Sequence, residues 1–410
     1  MLTCIVYHCR HVSYGDRQTD KMVIGESLKF AASSWLFVRA LVKVAIGLYN
    51  DHETKKPTIS LKGIGLDKDK EMPDELPSII DIKKAVPKRC FEPKIPISMY
   101  YALKDAVLIV ITYVVAVQLM QVQSTVFQAV TMLLYWAVQG TLFTAVFVIG
   151  HDCGHNSFSD SHLLNDVVGT VYHGFLLCPF YMWKLSHKRH HQFTNNLEKD
   201  EVFYPVRKSA SGAGGKTLPG FGLGVGWFGY LAQGYTPRNV CHFTLTSTLF
   251  DGHAFGCVAS LASVATMSCF LYSYIQMNGM LAFLGYYFVP LFIFASYCVI
   301  ITFLHHTEMT VPWMADENWD FVRGQLCSVD RDYGIVHGMI HNIGTHQMHH
   351  MFPKVPHYRL EEATTNFRKA YPHLVKSCTE PIVQSFLRMF CVYEKQCIID
   401  DDCKLYYYTE

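Results

Sequence analysis

Four long apolar runs limit what this chain can fold into. They occupy residues 102–120, 127–150, 254–275 and 281–304. Each is close to the ~20 residues a helix needs to cross a ~30 Å hydrocarbon core. A segment in lipid must satisfy its backbone polar groups internally, so each run predicts a membrane-spanning α-helix. Composition agrees: half the residues are hydrophobic and 17% are charged, where soluble domains carry about 25%. The formal charge of +1 offers no electrostatic footprint for nucleic acid. The connections 121–125 and 276–280 carry no charge, so the spans are expected to form two tight hairpins.

The loop between these hairpins holds Lys184, Lys188, Arg189, Lys199, Arg207 and Lys208. Positive charge collects on the cytosolic side, which puts the 151–253 loop and both chain ends there. Two apolar stretches of that loop, 167–183 and 221–235, read as half-buried segments holding a site against the bilayer. Residues 305–410 then form a cytosolic cap, helical over roughly 360–393. Before the spans, residues 1–75 read as an extension. Within it, the run 28–49 predicts an interfacial helix, because Arg39 and Lys43 near its middle would each cost roughly 2.5–3.5 kcal/mol in a bilayer centre. Residues 76–87 predict a short amphipathic helix capped by Ser78. Met1–Cys9 is too short an apolar stretch for a secretory signal. The fourteen cysteines are scattered without a Cys-x-x-Cys and read as reduced thiols.

Histidine spacing carries the chemistry. His187, His190 and His191 repeat the i, i+3, i+4 pattern of His346, His349 and His350, and His151 and His155 form an i, i+4 pair. On a helix these spacings share a face. With four spans, all three clusters fall on the same membrane side, at or beyond the ends of the second and fourth spans. His306 ends the fourth span there and is the expected ninth ligand, whereas adjacent His305 should point elsewhere. A catalytic zinc takes three protein ligands; nine imidazoles suit two metals. The first cluster, His-Asp-Cys-Gly-His, lacks the Glu of a zinc-protease motif, and the spans lack the Glu-x-x-His of soluble di-iron bundles. Metal-bound imidazoles donate their second N–H to a carboxylate or carbonyl. Asp152, Asp200, Glu201, Asp330 and Asp332 are available for this, with Asp152 and Asp332 placed first; His341 reads as a ligand, a further outer donor or a histidine with a structural role. No metal role is expected for His8, His11, His52, His162, His242, His253 or His373. Two irons beside a bilayer could reduce O2 to an oxidant able to take hydrogen from an unactivated methylene of a lipid chain.

Over residues 76–408 the chain resembles the membrane fatty-acid desaturases, in particular the methyl-end branch with its delta-12 and omega-3 members. The resemblance is carried by LPSIIDIKKAVPKRCFE from Leu76, GHDCGHNSFSDSHLLND from Gly150 and SHKRHHQFTNNLEKDEVF from Ser186. WDFVRGQLCSVDRDYG from Trp319 and HNIGTHQMHHMFPKVPHYRLEEAT from His341 continue it. It implies that the eight box histidines and His306 bind two iron ions. It also implies electrons from separate cytochrome b5 and its NADH-dependent reductase, an acyl substrate on phospholipid or CoA, and the endoplasmic reticulum membrane. Front-end desaturases usually begin the third box with Gln and carry a fused cytochrome b5 motif, His-Pro-Gly-Gly. This chain has His346 and no such motif. Gly344 and FPKVPHY from Phe352 look like omega-3 members, where delta-12 relatives more often have Asp at the first position.

The expectation is therefore an all-α integral membrane protein whose helical cap holds a histidine-rich di-iron site. It should insert a cis double bond toward the methyl end of an unsaturated acyl chain, at the omega-3 position. Delta-12 desaturation, hydroxylation, epoxygenation and acetylenation on the same scaffold stay open. A metal transporter or binding protein fits less well, because transport sites sit at mid-membrane.

Overall fold

The computed structural model describes residue 73 and residues 75–211 and 223–409. The predicted interfacial helix at 28–49 lies outside them. Helix α1, Ile79–Ala85, opens where the Ser78 side chain accepts from Asp81 N, and its apolar side (Ile82) is buried. Four later helices are long and apolar enough to cross a membrane: α2 Ile95–Leu119, α3 Thr125–His155, α7 Ala254–Asn278 and α8 Met280–His306.

Hydropathy placed these helices correctly but cut their ends short. Helix α2 begins seven residues before the predicted 102, near Pro96, whose missing N–H costs nothing in a first turn. Helix α3 continues past 150 to carry His151 and His155, and stops at Asn156, which adopts the left-handed conformation of a helix cap. At the end of α3 the polar His151 and Asp152 are buried in the protein interior, so hydropathy falls while the helix goes on. Only Gly279 separates α7 from α8.

The centre of the bundle is α3 against α8. Gly140 makes their close approach possible, since a Cβ there would stand 2.4 Å from Ile293 Cγ2. Within α8, residues Leu284–Phe288 form a π-helical turn just before Pro290. Pro290 has no N–H, so the Tyr286 carbonyl four residues back loses its helical donor. The Tyr135 hydroxyl of α3 donates to that carbonyl at 2.7 Å, and Trp136 Nε1 donates to Gly285 O at 2.7 Å. Helix α2 packs along α3. The second pair departs from a simple hairpin: α7 leans on α4 (His162–Phe175) and α5 (Phe180–Gln192), whereas α8 packs on α3 and α6 (Gly224–Gln233). Outward faces of α2 and α7 expose Val107, Val110, Val114, Phe255, Val258 and Phe270, a surface suited to hydrocarbon.

The rest of the cap comprises α9 Phe321–Leu326, α10 His346–Met351, α11 His357–Ala370 and α12 Ile382–Gln396. Residues 371–381 interrupt the helix expected over 360–393. The all-α expectation is also relaxed slightly, because three two-residue strand pairs clip the cap together. These are β1 (Val206–Arg207) with β5 (Ile398–Ile399), β2 (Trp313–Met314) with β6 (Leu405–Tyr406), and β3 (Asp330–Arg331) with β4 (Ser377–Cys378). Beneath them lies a buried ionic knot. Glu308 accepts from Arg331 at 2.7 Å and from Arg388 at 2.9 and 3.0 Å, and Arg388 also reaches Glu380. The two guanidiniums hold the Glu308 carboxyl below its usual range against its burial. Every described cysteine is a free thiol.

Candidate metal centre

Folding brings all nine histidines together. His151 and His155 arrive on the last turns of α3, His187, His190 and His191 on α5, His306 on the last residue of α8, and His346, His349 and His350 on α10. They form two groups rather than one. His151, His155, His187, His191 and His349 place one ligand atom each within 4.8 Å of the others, as do His190, His306 and His350. His346 joins the second group, its Nε2 standing 3.1 Å from that of His306 and 3.0 Å from that of His350.

The division follows helix geometry. Residues four apart are rotated about 40° and residues adjacent in sequence about 100°. Each i, i+4 pair (151 with 155, 187 with 191, 346 with 350) therefore faces one centre. The residue at i+3, His190 or His349, turns toward the other. The shared face expected of each triad is thus divided between two centres.

The nitrogen spacing fits shared cations. His306 Nε2 has the Nε2 atoms of His190 and His346 at 3.2 and 3.1 Å, and His191 Nε2 has those of His187 and His349 at 3.1 and 3.1 Å. A ring nitrogen offers one in-plane lone pair or one N–H, so it cannot hydrogen-bond two neighbours at once. Two nitrogens each about 2.1 Å from a divalent first-row ion, at right angles, lie about 3.0 Å apart. His155 Nε2 is buried with no hydrogen-bond partner among the described residues. Burial first, and neighbouring histidines next, hold His187, His191, His346, His349 and His350 well below the ordinary imidazole range. They are neutral donors, as metal binding requires.

Outer partners fix several tautomers. His190 Nδ1 lies 2.6 Å from Asp200 Oδ1, and Asp200, wholly buried, also accepts the backbone N–H groups of Asn195 and Glu201 at 2.7 and 2.6 Å. His350 Nδ1 lies 3.0 Å from Thr194 Oγ1, and His346 Nδ1 lies 3.3 Å from Ile343 O. Gln325 reaches both Thr194 Oγ1 and His191 O. Of the outer residues placed first from sequence, Asp152 reaches only to 3.8 Å of His151 Nδ1 and is held instead by His357. Asp332 is a correction: its side chain is exposed and accepts from Gly334 N, away from the cluster. His341 pairs with Asp105 and touches none of the nine through a hydrogen bond. His305 points elsewhere, as expected, with its Nδ1 on Val329 O and its Nε2 3.0 Å from Tyr333 Oη. Of the rest, Glu201 pairs with Arg189 at 2.9 Å, and Asp330 accepts from Gln347 N and Arg368.

An apolar cavity opens onto both groups, with His151, His187, His190 and His346 in its wall. Thr144, Phe147 and Cys298 line it within the bundle, and Trp227, Tyr230 and Phe203 line it in the cap. Trp183 lies nearly parallel to His187, ring centres 4.5 Å apart, and continues the apolar wall up to the nitrogens.

Residues 128–381 match the model of the fatty acid desaturase family. A Delta(12)-fatty-acid desaturase of Arabidopsis thaliana is 39% identical over 326 residues, covering 75% of this chain and 85% of its own. An sn-1 acyl-lipid omega-3 desaturase (ferredoxin) of Nostoc is 35% identical, over 74% of this chain and 84% of its own. An endoplasmic-reticulum omega-3 fatty acid desaturase of Nicotiana tabacum is 37% identical, over 74% and 79%.

Proposed function

The chain belongs to the fatty acid desaturase family, and on that premise we propose that it is an omega-3 desaturase with a nine-histidine di-iron centre. The oxidoreductase assignment rests on the family; the position of the new double bond and the ligand set are our reading. The observation that carries the reading is the pair of five- and four-imidazole groups at the wall of an apolar cavity.

Two iron ions, when bound, supply the reduction of O2 to an oxidant that removes hydrogen from methylene carbons. The balance is one O2, two electrons, two protons and one –CH2–CH2– unit, giving one –CH=CH– and two waters. His151, His155, His187, His191 and His349 would hold one ion, and His190, His306, His346 and His350 the other. The apolar wall of Phe147, Trp183, Trp227 and Phe203 binds the acyl chain, excludes bulk water and holds a methylene against the imidazoles. Asp200 keeps the His190 Nδ1 proton in place, leaving Nε2 free to bind metal.

The omega-3 choice is supported at Gly344, between the cavity residue Ile343 and His346. A Cβ there would stand 2.1 Å from the Arg331 carbonyl oxygen, a backbone atom of β3. The Asp frequent in delta-12 relatives would force β3 and the α10 entry apart. We place the protein in the endoplasmic reticulum membrane with the centre facing the cytosol, taking electrons from cytochrome b5. The Nicotiana relative's name supports the compartment; the Nostoc name, with ferredoxin, makes the donor a point to test.

Expression in a yeast that makes no polyunsaturated fat, fed oleic, linoleic or arachidonic acid, tests the reading. Omega-3 products should appear from the two n-6 acids. Linoleate from oleate alone would move the assignment to delta-12, and a hydroxylated product would make the chain a hydroxylase. Adding reduced cytochrome b5 or ferredoxin to purified protein, and measuring turnover with each, decides the donor. His349→Ala should abolish product with the protein still in the membrane.

A further inference from the structure

Beside the nine histidines, two more aspartate–histidine pairs stand back to back, all four side chains buried. In one, Asp105 of α2 and His341 Nε2 are 2.6 Å apart. In the other, Asp152 of α3 accepts twice from one residue at one oxygen. Both the backbone N–H of His357 (3.0 Å) and its ring Nδ1–H (2.8 Å) point at Oδ2. The two imidazoles pack with ring centres 4.2 Å apart, and Tyr101 of α2 lies edge-on to both, at 5.5 and 4.7 Å. Lys104 Nζ reaches the other oxygen of Asp105 at 3.1 Å.

Packing alone does not account for this arrangement. Apolar side chains of the same volume would join α2 to α3 without taking two carboxylates out of water, a cost of several kcal/mol each. The other oxygen of Asp152, Oδ1, faces the metal group without a hydrogen bond of its own. Oδ1 is the nearest carboxylate oxygen to His151 Nδ1, at 3.8 Å, and that Nδ1 has no hydrogen-bond partner among the described residues. His190, by contrast, has Asp200 at 2.6 Å, and Asp200 is held by two backbone N–H groups. Asp152 follows His151 directly on the helix, and its carboxylate would be free to rotate unless something held it.

We infer that His357 is a positioning residue for His151. Its ring and backbone N–H groups hold Oδ2 of Asp152, so that Oδ1 stays directed at His151 Nδ1. The Asp105–His341 pair behind it anchors that hold to the first membrane-crossing helix. Start of α11, end of α3 and entry of α2 are thereby joined at one metal-facing imidazole. The inference rests on the nine-histidine reading of the metal centre.

Two variants separate positioning from packing. H357N removes the ring but keeps an amide N–H near the place of Nδ1, whereas H357F keeps the stacked ring and offers no donor. Wild type and both variants would be purified as the full chain in detergent and titrated with Fe(II). Iron per polypeptide would be counted, and Mössbauer spectra of the 57Fe-loaded proteins compared. Wild type should hold two irons. H357F should bind one of them about 10–100-fold more weakly, with an altered spectrum for that iron, and H357N should stay within a few-fold of wild type at both. Equal behaviour of the two variants, or tighter binding by H357F than by H357N, overturns the inference. A wild type that holds no iron overturns the metal reading itself, a failure visible before any variant is made.

Discussion

Imidazole has two nitrogens, and a buried metal ligand must find work for both. In the four-histidine group the second nitrogen is usually assigned: His190 to Asp200, His350 to Thr194, His346 to Ile343 O. Asp200 is the strongest of these, fully buried and with both oxygens engaged. Asp200→Asn keeps the shape but turns one of the two acceptor oxygens into a donor, which must face either His190 Nδ1–H or Asn195 N–H. Iron affinity or turnover should fall about 10–100-fold, read by Fe(II) titration and product formation side by side. Unchanged values for both would remove Asp200 from the site's support. Sequence placed Asp200 among the available carboxylates but ranked Asp152 and Asp332 above it. Nothing in the spacing of Asp200, ten residues after His190, marks it. What brings it back is the turn at Asn195, whose N–H it accepts, and turns of that kind leave no periodic signal.

At the scale of elements, buried polar groups show where the bundle depends on side-chain partners. The π turn of α8 is one such place. Tyr135→Phe leaves the Tyr286 carbonyl without a donor in a setting with no water to replace it. The expected cost is about 1–3 kcal/mol, seen as a lower thermal midpoint in detergent, with Trp136 still bonded to Gly285 O. The ionic knot is another. Glu308→Ala leaves Arg331 without its carboxylate and Arg388 with Glu380 alone, and removing one partner of a buried pair costs about 3–5 kcal/mol. Because Glu308 lies two residues past His306, that variant should lose iron and fold together on heating. A variant as stable as wild type would show that water compensates the arginines.

For the molecule as a whole, sequence and structure agree on what local pattern controls. Long apolar runs gave four helices of sufficient length. Repeated His-x-x-x-His spacing marked three clusters, and the position of His306 at the end of a span marked the ninth histidine. What the sequence could not show is how the clusters are shared between centres, because that depends on how α3, α5, α8 and α10 face one another. His357 lies in the FPKVPHY run from Phe352, where the sequence shows family likeness and no partner. Its partner Asp152 is more than two hundred residues away in the chain, and no local spacing connects them. The short strand pairs were missed for a similar reason, each being two residues long and set by tertiary contact.

Consider again the adjacent residues His190–His191 and His349–His350, each pair divided between the two nitrogen groups. Neighbouring Cα atoms are 3.80 Å apart across a trans peptide, so twice over a single covalent link bridges the two centres. The rings of each pair stand 5.7 and 5.5 Å apart, and adjacency in the chain acts as a tether that limits how far the two nitrogen groups can part. The cavity walls carry no such tether to the histidines, so they are free to vary with the acyl chain while the tether stays the same.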